Sequence, residues 1–261
     1  MGIFSYLRKK ERYQQWAFEQ RLRKVERLSK IKLRDLGYLR DTLLPSLGLS
    51  DDDLSQYPEF LHRHCGQGIR LWQFPVQYAP YLILLSYIPV TSYLEIGLKH
   101  GGSFALTNSY LRRFNKVSKS TGVDLYETLG GLRVFKYFSE STYLISNSRS
   151  DEFSKYLQRV GTFDLVFIDG DHSEEGARAD LNLCKHHGKS FVLHDIKNDV
   201  CPGVGKVWSE LKQDPNYWFF EFVDQYQETR DPRSFMGIGV AVSKSELDFP
   251  SLPEHLKQHR V

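Results

Sequence analysis

From Ser92 onward the chain alternates short apolar runs with longer amphipathic ones. The runs 92–97 (SYLEIG), 119–126 (KSTGVDLY), 142–147 (TYLISN), 163–170 (FDLVFIDG) and 189–196 (KSFVLHDI) are six to eight residues long, a pattern that predicts strands. Two more, 218–223 (WFFEFV) and 237–242 (GIGVAV), complete a set of seven. Helical spacing fills 103–113, 174–185 and 204–212 between them. Near-continuous apolar strands separated by helices predict an α/β fold with a parallel sheet covered on both faces. In such sheets ligands bind beyond the carboxyl ends of the strands.

The first ninety residues follow another rhythm. Residues 5–45 contain no glycine before Gly37 and no proline before Pro45, and are rich in Arg, Lys, Glu, Gln and Leu, which predicts a helical arm. Trp16, Leu22, Val25, Leu28, Ile31 and Leu36 form a ragged apolar stripe, expected to dock on a partner or on the protein's own core. Heptads are too few for a coiled coil. Residues 49–60 read as a short capped helix ending near Pro58, 62–77 as a loop bearing glycines and aromatics, and 78–87 as a buried helix. The expected organisation is a helical arm and lid over 1–90, a core over 91–243 and a tail over 244–261.

Charge changes this picture at the N-terminus only. Residues 1–41 hold twelve Lys/Arg against five Asp/Glu, a surplus of seven, so within a total of +3 the remaining chain carries four net negative charges. The basic arm is expected to favour an anionic partner: a membrane surface, a polyanion or an acidic neighbouring subunit. Weak membrane-surface contact and homo-oligomerisation are both expectations, and nucleic-acid binding is not one. Three scattered cysteines with no CxxC spacing point to a reducing, cytoplasmic setting. The N-terminus lacks the apolar stretch of a signal peptide. The apolar segment 78–90 is interrupted by Pro80, Ser86 and Pro89 and too short for a bilayer, so a soluble protein is expected.

The chemistry gathers at the strand exits. After the first strand stand Glu95, Gly97 and the loop KHGGS with Gly101, Gly102 and Ser103; after the second, Asp124; after the third, Asn147 and Ser148; after the fourth, Asp169, Asp171 and His172; after the fifth, His194 and Asp195. Parallel strands end on one rim, so these residues are expected to converge. The glycines let backbone approach a ligand closely, but they lack the G-x-G-x-x-G spacing of dinucleotide binders. A glutamate two residues before the first glycine suits a cationic ligand group, and Asp124 is placed to take a ribose diol. Glu174, Glu175 and Asp180 read as solvated helix-face charges.

The segments LEIGLKHGGSF, FDLVFIDGDHSEEGARADL and FVLHDI together resemble the class I S-adenosylmethionine-dependent methyltransferases, in particular the small-molecule O-methyltransferases that act on sugars, macrolides and catechols and a cephalosporin-hydroxylase-like group. The resemblance covers roughly residues 72–243 and leaves the first 60 outside. It implies a Rossmann-like doubly wound sheet, mainly parallel and seven-stranded with an antiparallel final strand, preceded by an N-terminal helical extension. It further implies that Glu95, Gly97, Gly101, Gly102 and Ser103 hold the methionine part of S-adenosylmethionine, that Asp124 takes the ribose, and that Asn147 and Ser148 flank the adenine. Asp169, which also borders the cofactor, would bind Mg²⁺ together with the pair His194–Asp195, and His172 would accept the substrate proton. A histidine in that pair departs from the family pattern and leaves three alternatives: Mg²⁺, which prefers oxygen ligands, on Asp169 and Asp195 with waters and substrate oxygens; Mn²⁺ or another transition ion with His194 in its shell; or a metal-free enzyme that uses His172 alone.

The expected activity is therefore methyl transfer to a hydroxyl of a small molecule, whether sugar, phenol or polyketide. Two other classes compete. A non-haem iron hydroxylase would use His172, Glu174 and a distal histidine, although that chemistry usually sits on a double-stranded β-helix. A catalytically silent cofactor-binding module would act through its basic arm. The cluster His62–Arg63–His64–Cys65 lacks a second ligand pair at finger spacing.

Overall fold

The computed structural model describes residues 3–261. Seven strands form one sheet: β1 (Ser92–Ile96), β2 (Lys119–Asp124), β3 (Thr142–Ile145), β4 (Phe163–Ile168), β5 (Gly188–His194), β6 (Tyr217–Phe222) and β7 (Ile238–Ser243), in the order β3-β2-β1-β4-β5-β7-β6. The pairs from β3 to β5 are all parallel, and β7 enters antiparallel between β5 and β6. The expected doubly wound sheet with an antiparallel final strand is the observed one.

Side chains on each strand alternate between two cores, as the period of two requires. Tyr93, Phe167, Val192 and Val240 face one core, shared with the helices Ile3–Arg27, Pro75–Leu85, Gly102–Phe114 and Leu129–Tyr137. Leu94, Val166, Ile168, Phe191 and Ala241 face the other, against the helices Asp151–Val160, Glu174–Lys185 and Pro202–Leu211. Burial on both faces explains why these strands read as unbroken apolar runs. The helices Leu129–Tyr137 and Asp151–Val160 were not predicted. Each is capped by a hydroxyl, Thr128 to the Gly131 N–H and Ser150 to the Phe153 N–H.

The arm differs from a continuous helix. The helix Ile3–Arg27 ends, and Ser29 restarts a short one over Lys30–Leu33 by accepting from the Lys32 N–H. Asp35 then caps Leu36–Tyr38. Both residues offer the backbone an alternative partner that breaks a long helix into pieces. Phe18, Leu22 and Val25 are buried in the sheet's own core, so the arm docks within the chain, while Tyr13 and Trp16 stay exposed. The predicted short helix over 49–60 is a single 3₁₀ turn, Leu54–Gln56, followed by the helical turn Glu59–His62. No helix among the described residues is long and apolar enough to cross a membrane.

Candidate active site

Strand order reverses between β1 and β4, the position at which a doubly wound sheet opens a crevice. The two strand exits are pressed together there. Gly97 has φ +87°, and a Cβ on it would lie 1.9 Å from the carbonyl oxygen of Asp169. The Asp169 N–H donates to the Ile96 carbonyl at 2.8 Å. Only glycine combines this backbone angle with this approach. Above the junction lies a cavity of about 800 Å³. Its walls include Gly97, Gly102, Ser103, Asp124, Asn147, Ser148, Asp169, His172, His194 and Asp195.

Two predicted cofactor residues stand behind that wall. Glu95 is fully buried and accepts from the hydroxyls of Tyr93 and Ser103, so Ser103 separates it from the cavity. Burial outweighs those donors and pushes its carboxyl up to about 8. Gly101 opens the helix Gly102–Phe114 and packs against Val134 rather than lining the space. Gly102 has a packing role as well: a Cβ there would meet the Ile69 carbonyl at 2.6 Å, which brings the segment before the sheet onto the glycine loop.

Asp124 braces this loop. Its Oδ2 accepts from the backbone N–H groups of Leu98 at 2.9 Å and Lys99 at 2.8 Å, and its Oδ1 takes a longer 3.3 Å bond from Tyr126 N–H. Asn147 spends its side-chain oxygen on the Arg149 N–H at 2.9 Å. Asp180, read from sequence as solvated, is 1% exposed, with neither carboxylate oxygen partnered among the described residues. It lies behind Gly170, close enough that a Cβ on that glycine would stand 3.1 Å from its Oδ2. Helical spacing misjudged it because that face of Glu174–Lys185 turns toward the strand exit rather than to water.

The exits of β4 and β5 hold two carboxylates and two imidazoles. His172 Nε2 lies 3.2 Å from Asp169 Oδ1 and 3.4 Å from Asp195 Oδ2. His194 Nδ1 lies 3.0 Å from Asp169 Oδ1 and 3.4 Å from Asp195 Oδ1. Asn198 donates to Asp195 Oδ1 at 2.9 Å. Asp195 is held with φ +62°, a backbone conformation that orients its side chain at a cost other residues must sustain. Hydrogen bonding with Asp169 and then with Cys201 outweighs burial and pushes His172 up to about 11. Burial works against the imidazolium of His194, yet the charges of Asp169 and Asp195 prevail and push it up to about 10. Both carboxylates are correspondingly held below their usual range, chiefly by His194 acting against burial.

Residues 94–196 match a family model described as "Methyltransferase domain". This stretch is similar to that family over its whole matched length, about two-fifths of the chain. Its bounds run from the middle of β1 to just past Asp195, and so enclose every rim residue named from sequence. No curated protein matches the chain. Solved structures similar to it include an O-methyltransferase from Bacillus cereus in complex with SAH, at 11% identity over 83% of this chain and 93% of that one, with a TM-score of 0.45. The O-methyltransferase TomG from Streptomyces achromogenes, in complex with SAM, shows 14% identity over 78% of this chain and 95% of that one, with a TM-score of 0.48. The MycE methyltransferase of the mycinamycin pathway, in complex with Mg and SAH, shows 18% identity over 68% of this chain and 50% of that one, with a TM-score of 0.40.

The matched stretch does not close the cavity alone. Gln56, Arg70, Trp72 and Gln73 border it from the segment before the sheet, and Arg233, Phe235 and Met236 from the loop before β7. Lys99 stands over the Trp72 ring at 3.2 Å, which ties the glycine loop to that segment. Sequence reading also missed Asn198 and Cys201, although both follow β5 on the same rim. Both lie beyond the last residues of the strand, where no apolar run points to them.

Proposed function

We propose that the chain is an S-adenosylmethionine-dependent methyltransferase that moves a methyl group onto a hydroxyl of a small molecule or sugar, aided by a divalent cation. The observation that supports this most is the single cavity that collects Gly97, Asp124, Asp169, His172, His194 and Asp195 from four strand exits. Its volume of about 800 Å³ falls within the range of cofactor sites, about 300–1,000 Å³. Carboxylates on both sides of the β1–β4 junction suit a donor whose sulfur and amine are cationic.

The donor set at the end of β5 fits a cation. The Nε2 of His194 is buried without a partner among the described residues, which is costly unless something else engages it, while Nδ1 faces the Asp169 and Asp195 carboxylates. Asp169, His194 and Asp195 offer ligand atoms within 4.8 Å of one another. One nitrogen beside two carboxylates suits Mn²⁺ or a similar transition ion better than Mg²⁺. Held there, such an ion would polarise the acceptor oxygen and lower its pKa. The chain's own part is to place acceptor and donor in line, which supplies much of the acceleration in such transfers.

His172 is the proton acceptor in this reading. With Asp169 and Asp195 free, its imidazole is held in the charged form between them. Engaging those carboxylates elsewhere returns the ring to the neutral form, whose Nε2 can take the hydroxyl proton as the new C–O bond forms and the S–CH₃ bond breaks. The iron-hydroxylase alternative draws less support. Glu174 pairs with Arg178 at 2.9 Å and Lys206 at 3.1 Å, and His172 and His194 fall in separate groups of converging donors.

The test is incubation with S-adenosylmethionine carrying a labelled methyl group, Mn²⁺, and pools of glycosides, phenols and hydroxylated polyketides. Label in an acceptor, with S-adenosylhomocysteine formed in equal amount, is the expected result. Cofactor binding with no transfer to any pool would instead favour a catalytically silent binding module.

A further inference from the structure

The rim carries a second set of converging donors that the proposed mechanism does not use as a set. His172, Asp195 and Cys201 each offer one ligand atom, and these atoms lie within 4.8 Å of one another. They come from three places in the chain: the exit of β4, the exit of β5, and the residue before the helix Pro202–Leu211. Of the three free cysteines, Cys184 is buried in the core and Cys65 lies in the segment before the sheet, whereas Cys201 borders the cavity.

Asp195 divides its oxygens between the two sets. Oδ1 faces His194 Nδ1 at 3.4 Å and Asn198 at 2.9 Å, while Oδ2 faces His172 Nε2 at 3.4 Å. A tetrahedral ion with metal–nitrogen and metal–oxygen distances of about 2.0–2.1 Å sets neighbouring donors about 3.3 Å apart. The His172–Asp195 separation already meets that spacing. A thiol in the third position selects a soft or borderline ion, since sulfur binds Zn²⁺ well and hard cations poorly.

We propose that His172, Asp195 and Cys201 form an inhibitory position for a thiophilic divalent cation such as Zn²⁺, distinct from the Asp169–His194–Asp195 set. Binding releases the thiol proton and any proton on the imidazole to solvent, and leaves a metal–nitrogen bond where His172 must accept a proton. The inhibitory part rests on His172 being the proton acceptor of the proposed reaction; the cation position itself does not. The two sets sort ions by softness: an oxygen-preferring ion goes to the carboxylate-rich set, a thiophilic one to the set with sulfur.

The test uses the full chain, stripped with chelator and titrated with Co²⁺, whose thiolate complexes absorb in the near ultraviolet. The expected result is a saturable thiolate-to-cobalt band, abolished in Cys201→Ser, retained in Cys184→Ser, and weakened at least tenfold in apparent affinity in His172→Ala. Zn²⁺ should displace the cobalt and bleach the band, whereas Mg²⁺ in tenfold excess should not. Absence of the band, or its persistence in Cys201→Ser, overturns the proposal. Calorimetry with S-adenosylhomocysteine on the same samples separates the two readings. A cobalt band without cofactor binding would refute the methyltransferase reading and leave the cation position standing; cofactor binding without the band would do the reverse.

Discussion

Glu95 has no exposed surface, and the hydroxyls of Tyr93 and Ser103 occupy its two oxygens. Burial is the larger influence, and the carboxyl is pushed up to about 8 from its usual 4.5. The folded chain therefore keeps a proton that the unfolded chain releases near 4.5. The resulting stabilisation is full below about pH 4.5 and is lost progressively as the medium rises through 8, a loss on the order of 5 kcal/mol. Urea unfolding at pH 5 and pH 8.5 should show this fall in the parent and a much flatter profile in Glu95→Gln; equal slopes would refute the assignment. His172 calls for a kinetic test. Once an acceptor is identified, His172→Ala should lower kcat by about 10²–10⁴ while leaving the affinity for S-adenosylhomocysteine within about threefold. A variant with unchanged kcat would remove His172 from the mechanism. At this scale residue types were legible in the sequence, but their burial was not. Asp169 and His172 were found because they end an apolar run. Asp180 was misread because helical spacing cannot tell water from the back of a neighbouring strand.

The element that matters most beyond the strands is the segment before β1. It reaches the glycine loop through Gly102, where an added Cβ would meet the Ile69 carbonyl at 2.6 Å and the Leu71 backbone at 3.0 Å. Backbone cannot yield cheaply at that distance, so Gly102→Ala should lower the melting temperature by several degrees and weaken cofactor binding together. A variant with parental stability and binding would show that the segment does not clamp the loop. The N-terminal helix is held by apolar burial rather than by its charge. Leu22 has no exposed surface, and Leu22→Ala should destabilise the chain by about 2–5 kcal/mol in denaturant unfolding. A cost below 1 kcal/mol would mean the arm is only loosely attached. The strands were legible because burial on both faces leaves them unbroken and apolar. The arm's breaks were not, since Ser29 and Asp35 act as caps only once the chain turns there. The helices Leu129–Tyr137 and Asp151–Val160 were missed for a related reason: each is short, and its cap hydroxyl resembles an ordinary loop residue.

For the whole molecule, the order β3-β2-β1-β4-β5-β7-β6 turns residues up to a hundred positions apart into neighbours. That arrangement gives the rim its chemistry, and it follows from the alternation of strand and helix rather than from any single motif. Trp72 and Gln73 lie in the region expected to form a lid, whereas the walls contributed by Arg233 and Phe235 were not foreseeable, because no local pattern says which distant loop will close over a sheet edge. The central claim is that the rim binds a charged sulfur donor and its product. Isothermal titration of the chain with S-adenosylhomocysteine tests it most directly. The account predicts one site per chain, with affinity weakened about tenfold or more in Asp124→Ala, whose carboxylate holds the loop N–H groups of Leu98 and Lys99. Absence of binding heat in the parent at high micromolar ligand, or equal affinity in the variant, would contradict it.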